Sequence, residues 1–384
     1  MTAKKKGPLD GIVVVDLTRV LAGPFSTMML ADMGAEVIKV ENPDGGDDSR
    51  TFLPMVSDRS AYFMSVNRGK KSVALNLKDE NDRRRFEALL ARADVLVENF
   101  RGGTMEKLGY GWDELHPLYP RLIYAAVSGF GHTGPYAHKA AYDMVVQAMG
   151  GVMSITGHPG GKPTRVGVSI GDITAGLFLT SGITSALYHR AMTGEAQKVD
   201  VAMLDCQVAI LENAIAQFVA TGQSPGPLGD RHGSIAPFGV FHASDGHLVI
   251  AAGNDALFAA LAKALHAQQL KDDPRFATNE ARVTHVTQLT AELNHLLATR
   301  TKAEWIKRID AAGVPCGPIN NIRDVMQDPQ IRARNMIITT DDPVIGRIEM
   351  PGNPIKLSAF DDPLTRHDAP ELDEDRIDVL GDLA

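Results

Sequence analysis

The chain has 384 residues, room for two domains, and its 44% hydrophobic and 22% charged content is that of an ordinary globular protein. A formal net charge of −8 excludes general nucleic-acid binding, which needs a basic face, but allows a local basic pocket for an anionic ligand. Two cysteines, Cys206 and Cys316, exclude a disulfide framework and a cysteine-rich metal site, and no His/Cys/Asp spacing for a metal is present. In chain order, Met1–Lys6 is basic, but the apolar run after it ends at Asp16, too short for a secretory signal. No stretch reads as a membrane span of roughly 20 apolar residues, so a cytoplasmic protein with no membrane partner is expected. Ile12–Val15 reads as a strand, Leu17–Pro24 as a loop, Phe25–Met33 as a helix ended by Gly34, and Val37–Val40 as the next strand. That βαβ unit predicts a parallel sheet with a loop and a helix N-terminus at its carboxyl edge, where ligands bind.

Alternation continues to about residue 205. Ser72–Leu77, Val95–Val97, Leu122–Val127 and Lys198–Val201 read as strands; Glu80–Arg92, Met144–Met149, Asp172–Met192 and Leu204–Thr221 read as helices. Gly222–Gly233 is rich in glycine and proline and reads as a hinge. Val240–Ala252 then alternates like a hairpin around Asp245-Gly246, and Ala256–Leu270, Asn279–Leu297 and Lys302–Ala312 read as helices. Pro343–Ala359 returns to strand-like text. The expected organisation is α/β. Residues 1–222 form a large parallel-sheet domain and 223–330 a linker with a small α+β domain, while 331–384 returns to the first.

Three patterns bear on chemistry. Asp172 follows a strand-like run ending at Gly171 and opens a small-residue helix, which by itself reads first as an N-cap. The dipole of that helix would favour its ionised form. Asn67-Arg68-Gly69-Lys70-Lys71-Ser72 is a basic cluster in an acidic chain, equally consistent with a solvated turn and with phosphate contacts. Gly129-Phe130-Gly131-His132-Thr133-Gly134 has dinucleotide-fingerprint spacing, but Pro135 follows and no helix-then-strand with an acidic end comes after, so a tight turn is expected there. No Gly-x-Ser-x-Gly is present.

The wording of several segments resembles one family. DLTRVLAGPF followed by LADMGAEVIKVE, VENFR, SGFGHTGP, AYDMVVQAM and GDITAG occur in the order found in family III CoA-transferases, and the resemblance runs from Pro8 to about Phe360. It implies a large CoA-binding domain, a smaller domain, and a homodimer whose chains interlock like linked rings. It also implies that Asp172 is a nucleophile forming an aspartyl-CoA thioester. The substrates would be CoA esters and a small carboxylic acid, with no tightly bound cofactor.

Residue by residue, the resemblance places CoA contacts at Leu21 and Ala22 in the first loop and at Leu75 and Lys78. It adds Asn99, Phe100 and Arg101 in VENFR, then Lys107, Tyr142 and Asp143. Where a basic residue often follows the glutamate that closes the second strand, this chain has Asn42 after Glu41; Asn42 joins the contact set. His232, in a Gly-x-x-His before Pro237-Phe238, is matched to the carboxylate substrate. The phrases GPFST, GDDSRTF and MPGNPIK are most similar to the oxalate-using group, which implies a short acyl donor such as acetyl-CoA and oxalate as acceptor. One alternative is the branch that racemises 2-methylacyl-CoA, which usually carries a His where this chain has Tyr142. Another is transfer with a different acid, as formyl-CoA or succinyl-CoA; the formyl-CoA-using members carry a glycine run that is absent between Phe238 and Gly253.

Overall fold

In the computed structural model residues 7–381 are described; the basic stretch Met1–Lys6 lies outside them. The chain divides into two compact units. The larger comprises residues 1–153, 165–224 and 329–384, and the smaller 154–164 and 225–328.

The larger unit is built in chain order from β1 (Val13–Asp16), α1 (Ala22–Asp32), β2 (Glu36–Glu41), α2 (Ala61–Asn67), β3 (Lys71–Ala74), α3 (Glu80–Leu90) and β4 (Val95–Glu98). There follow α4 (Thr104–Leu108), α5 (Trp112–Leu118), β5 (Ile123–Ser128), α6 (Asp143–Met149), α7 (Ile170–Thr193), β6 (Lys198–Ala202), α8 (Met203–Ala209) and α9 (Glu212–Thr221). The six strands pair in parallel in the order β3-β2-β1-β4-β5-β6.

Neighbouring residues of one strand point to opposite faces, so a sheet covered on both sides must be apolar at every position. Val14, Val37, Val95 and Ala125 face one layer with Leu30 of α1 and Leu179 and Ile183 of α7. Val15, Ile38, Leu96 and Tyr124 face the other with Phe86, Leu89 and Leu90 of α3. Each such side chain contributes about 1.5–3 kcal/mol on burial. The C-terminal segment protects the open edge of β3: Ala74 donates its N–H to Asp373, and Ser72 and Asp375 exchange two hydrogen bonds. The smaller unit has an antiparallel sheet of Phe238–Ala243, Gly246–Ala251 and Cys316–Pro318. It is packed on helices that bring in Phe258, Leu261, Leu293, Trp305 and Ile309.

Several expectations are corrected. Helix α1 starts at Ala22, because Pro24 is tolerated within a first turn, so the loop before it is shorter than its sequence suggests. Val166–Ser169 is not a strand: it has no pairing partner, and the Val166 N–H goes to the Gln147 side chain. Leu204–Thr221 is two helices bent by 62°, and Asn279–Leu297 is interrupted at His285. Strands Ile337–Asp342 and Gly346–Pro351 replace a single run from Pro343. Helix α7 is long and apolar enough to cross a bilayer, but ten of its residues are buried in the larger unit, as in a core helix.

Candidate active site

All six strands are parallel, so every loop that leaves a strand emerges at one edge. Those loops hold residues 17–21, Asn42, Leu75 and Lys78, Asn99–Arg101, and the turn 129–134. Helices α1 and α7 each run back from this edge, which sets their N-termini there as well. The two pack side by side because Gly176 has no side chain: a Cβ at that position would meet the Ala22 carbonyl oxygen at 2.8 Å and Phe25 at 2.9 Å. Ser26 and Thr180 hydroxyls join the same seam at 2.9 Å. Asp172 lies one turn before Gly176 on α7, so the seam brings the first loop alongside it.

The N-cap of α7 is Ser169, not Asp172, which is the third helical residue. The Asp172 carboxylate is half-buried, its ionisation is governed by burial and a second carboxylate, and it accepts no hydrogen bond among the described residues. Burial first, and the charge of Asp143 second, push it up to about 7. Both act against the helix dipole, which favours the ionised form. Asp143 opens α6. Its Oδ1 accepts the Gly171 N–H at 2.8 Å, and its Oδ2 accepts from Gln147 Nε2 at 2.7 Å. Tyr62 on α2 was not signalled by the sequence. Its hydroxyl is pushed up to about 12 by burial and by the charges of Asp172, Asp47 and Asp143, which leaves it a neutral O–H in the field of these carboxylates.

Loop 17–21 is fixed from below. Lys39, fully buried, donates to the Thr18 carbonyl at 2.6 Å and pairs with Asp47 at 2.8 Å. Asp47 also accepts the Val20 N–H at 3.1 Å, and its carboxyl is held down at about 2 despite burial, chiefly by Lys39. Asn99 grips the loop from the side: its Oδ1 accepts the Arg19 N–H at 2.9 Å and its Nδ2 donates to the Arg19 carbonyl at 2.7 Å. Val20 adopts φ +69° within this frame. Glu98 holds the Asn99–Arg101 turn by accepting the Phe100 N–H at 2.7 Å.

Of the other expected contacts, Leu21 is the N-cap of α1 and Ala22 its buried first residue. Leu75 is buried, Phe100 is half-buried, and Tyr142 caps α6 with 77% exposure. Asn42 is exposed and uses its side chain to accept the Asp44 N–H. Lys78, Arg101 and Lys107 are exposed. Within the cluster from Asn67 to Ser72, Arg68 and Lys70 are buried and paired, which corrects the phosphate reading for those two, whereas Lys71 is half-exposed. Arg68 pairs with Asp32 at 2.7 Å, Lys70 with Asp16 at 3.0 Å, and Lys71 with Glu36 at 2.9 Å. The larger unit carries every one of these positions. His232 belongs to the smaller unit, where it is half-buried, donates its N–H to the Phe238 carbonyl and packs its ring on Phe238 at 5.4 Å.

The edge thus holds a half-buried carboxylate in the first turn of a helix, beside a second carboxylate pinned by hydrogen bonds and a loop fixed from below. The chain belongs to CoA-transferase family III, whose family model matches residues 9–376. It is 50% identical over 373 residues to an acetyl-CoA:oxalate CoA-transferase of Acetobacter aceti, covering 97% of this chain and 95% of the relative. A succinyl-CoA:glutarate CoA-transferase of Mus musculus is 41% identical over 92% of this chain and 81% of its own. The crystal structure of a CaiB/BaiF family protein from Brucella suis superposes with a TM-score of 0.88 at 41% identity, covering 99% of this chain and 100% of that one.

The pH dependence of the site has a definite sign. A nucleophilic carboxylate acts only when ionised. With the value raised to about 7, kcat/KM for acyl-CoA is expected to rise about tenfold per pH unit below pH 6 and level off above 8. Asp143→Asn removes the second charge and keeps an acceptor for the Gly171 N–H. The midpoint of the rise should then move to lower pH. A midpoint that stays or moves up would show that Asp143 does not face the reacting group.

Proposed function

We propose that this chain transfers CoA from a short acyl-CoA, acetyl-CoA first, to a small dicarboxylate, oxalate first, through Asp172. The observation that carries the reading is the Asp172 carboxylate itself, spent on no cap or ion pair and set at the ligand-binding edge beside Asp143. Its carboxylate attacks the thioester carbonyl and expels CoA thiolate, giving a mixed anhydride. The thiolate attacks the aspartyl carbonyl, frees the donor's acid and leaves an aspartyl-CoA thioester. The acceptor carboxylate reverses the sequence: it attacks the thioester, and the thiolate then attacks the acceptor's carbonyl and restores Asp172. No proton is consumed overall. The neutral Tyr62 O–H and the edge amides are suited to the oxyanions that form.

The CoA phosphates fit Lys78, Arg101 and Lys107, which are exposed on the edge loops and on α4. A homodimer belongs to the same reading. Phe178, Tyr188 and Met192 of α7 and Ile215, Phe218 and Val219 of α9 are all more than 40% exposed, and no residue of α9 is buried. Large exposed apolar side chains gathered on two helices are what a partner surface would cover.

The 50% identity with the oxalate-using relative favours oxalate over the acids named for relatives near 41%. The test is a matrix of acetyl-CoA, formyl-CoA and succinyl-CoA against oxalate, succinate, glutarate and mesaconate, followed by mass spectrometry of the CoA esters. Acetyl-CoA with oxalate should give the highest kcat/KM. A tenfold preference for a succinyl-CoA pair, about 1.4 kcal/mol in transition-state binding, would replace the substrates and keep the transferase.

A further inference from the structure

Resting on the reading of Asp172 as nucleophile, we propose that Gln147 is a positioning residue for the reaction, whose buried amide locks the Asp143 carboxylate into its place beside Asp172. Gln147 lies one turn after Asp143 on α6 and is fully buried. Its amide has one workable orientation. The Val166 N–H points at it from 2.9 Å, so the oxygen must face Val166 and the NH₂ must face Asp143 Oδ2 at 2.7 Å. Flipping it would set N–H against N–H at one end and oxygen against carboxylate at the other.

The carboxylate is thus held at both ends. Oδ2 is tied to its own helix through Gln147, and Oδ1 to the Gly171 amide that immediately precedes the nucleophile. Gly171 leaves no slack, since a Cβ there would come within 2.7 Å of Val146 and 3.0 Å of Asp143 Oδ1. Val166 belongs to the segment that leads into α7, so one side chain ties together that lead-in, the second carboxylate and, through Gly171, the start of the catalytic helix. The charged and titratable groups facing this point are Asp172 on α7, Asp143 on α6 and Tyr62 on α2, with Asp47 behind Tyr62. Gln147 brings no charge of its own, which suits a group that must fix Asp143 without altering the balance between the carboxylates.

The decisive variant is Gln147→Glu. Its shape is nearly the same, and it still accepts the Val166 N–H. It donates to Asp143 only while protonated; once ionised it faces Asp143 as a like charge. The ratio of its kcat to that of the parent protein at the same pH should be near one at pH 5.5. It should fall at least about tenfold by pH 8.5, with the KM for acyl-CoA changed less than about threefold, the signature of an effect confined to the chemical step. Gln147→Met, which lacks both the donor and the acceptor, should lose kcat at every pH. Thermal melts of both variants at pH 5.5 and 8.5 accompany the kinetics, and kcat is referred to the folded fraction, since the ionised side chain of Gln147→Glu in the interior would also destabilise the fold at pH 8.5. A fall in kcat no larger than the fall in folded fraction marks a merely structural role and overturns the proposal.

A flat Gln147→Glu ratio across the range, or a raised KM with unchanged kcat, overturns the proposal. Trapping with acyl-CoA and hydroxylamine separates it from the reading beneath. No modified Asp172 peptide in the parent protein overturns the nucleophile and the proposal with it. A modified peptide together with a flat Gln147→Glu ratio overturns the role of Gln147 alone.

Discussion

Asp172→Ala is expected to lower turnover on the order of 10⁴–10⁶-fold, the scale seen when the reacting group of a covalent mechanism is removed. CoA binding, measured by calorimetry, should change by no more than a few-fold. The loss is expected to be nearly complete because the neighbouring Asp143 carboxylate is held at both oxygens, by the Gly171 N–H and by Gln147, and the other candidates nearby are not ionised. Cys206 on α8 is buried, and burial together with Asp205 pushes its thiol up to about 12, so it is not a thiolate at neutral pH. Tyr62 is likewise held neutral. Turnover within about tenfold of the parent would end the nucleophile assignment and, with it, the aspartyl thioester. A collapse of CoA affinity matching the loss of turnover would instead identify Asp172 as a binding residue.

The second large effect concerns stability. Lys70 and Asp16 are fully buried at 3.0 Å, and the Lys70 ammonium also reaches Asn67 and the Pro24 carbonyl. Burial nevertheless pushes Lys70 down to about 8, so the desolvation it suffers exceeds what Asp16 returns. Breaking such a pair leaves an uncompensated charge in the interior. Lys70→Met should therefore cost about 3–5 kcal/mol, measured by denaturant unfolding. Because the pair itself gains little over apolar packing, the double variant Asp16→Leu/Lys70→Met should recover part of that loss. A double variant less stable than the single one would show that the Asp16 bonds to Thr18 and Thr27, at 2.5 and 2.7 Å, carry the stabilisation.

The first βαβ unit was legible because its first strand is a continuous β-branched run, its second is one broken only by Lys39, and Gly34, at φ +99°, ends its helix. Asp172 was legible through the glycine before it and the small-residue helix after it, aided by the family wording. What it does locally was not, since a cap and a free carboxylate look alike in one sequence. The basic cluster at Arg68–Lys71 misled because its partners, Asp32, Asp16 and Glu36, lie 35 to 54 positions earlier, and only the sheet order brings them together. The bend between α8 and α9 has no glycine or proline to mark it. Gln147 gave one faint signal, its four-residue spacing from Asp143, which places both on the same side of a helix.

Val20 carries a wider consequence. A β-branched residue at φ +69° strains the backbone by about 1–3 kcal/mol, and here it sits in the loop assigned to the nucleotide. The conformation persists because Lys39, Asp47 and Asn99 grip Thr18, Val20 and Arg19 on three sides. A loop frozen this way before any ligand arrives has little disorder left to lose, so docking of the nucleotide proposed to bind there would cost little in ordering it. Affinity at such an edge then depends on residues that never touch the ligand. Loosening the buried Lys39–Asp47 pair would surface as faster CoA release, even though neither side chain is exposed to it.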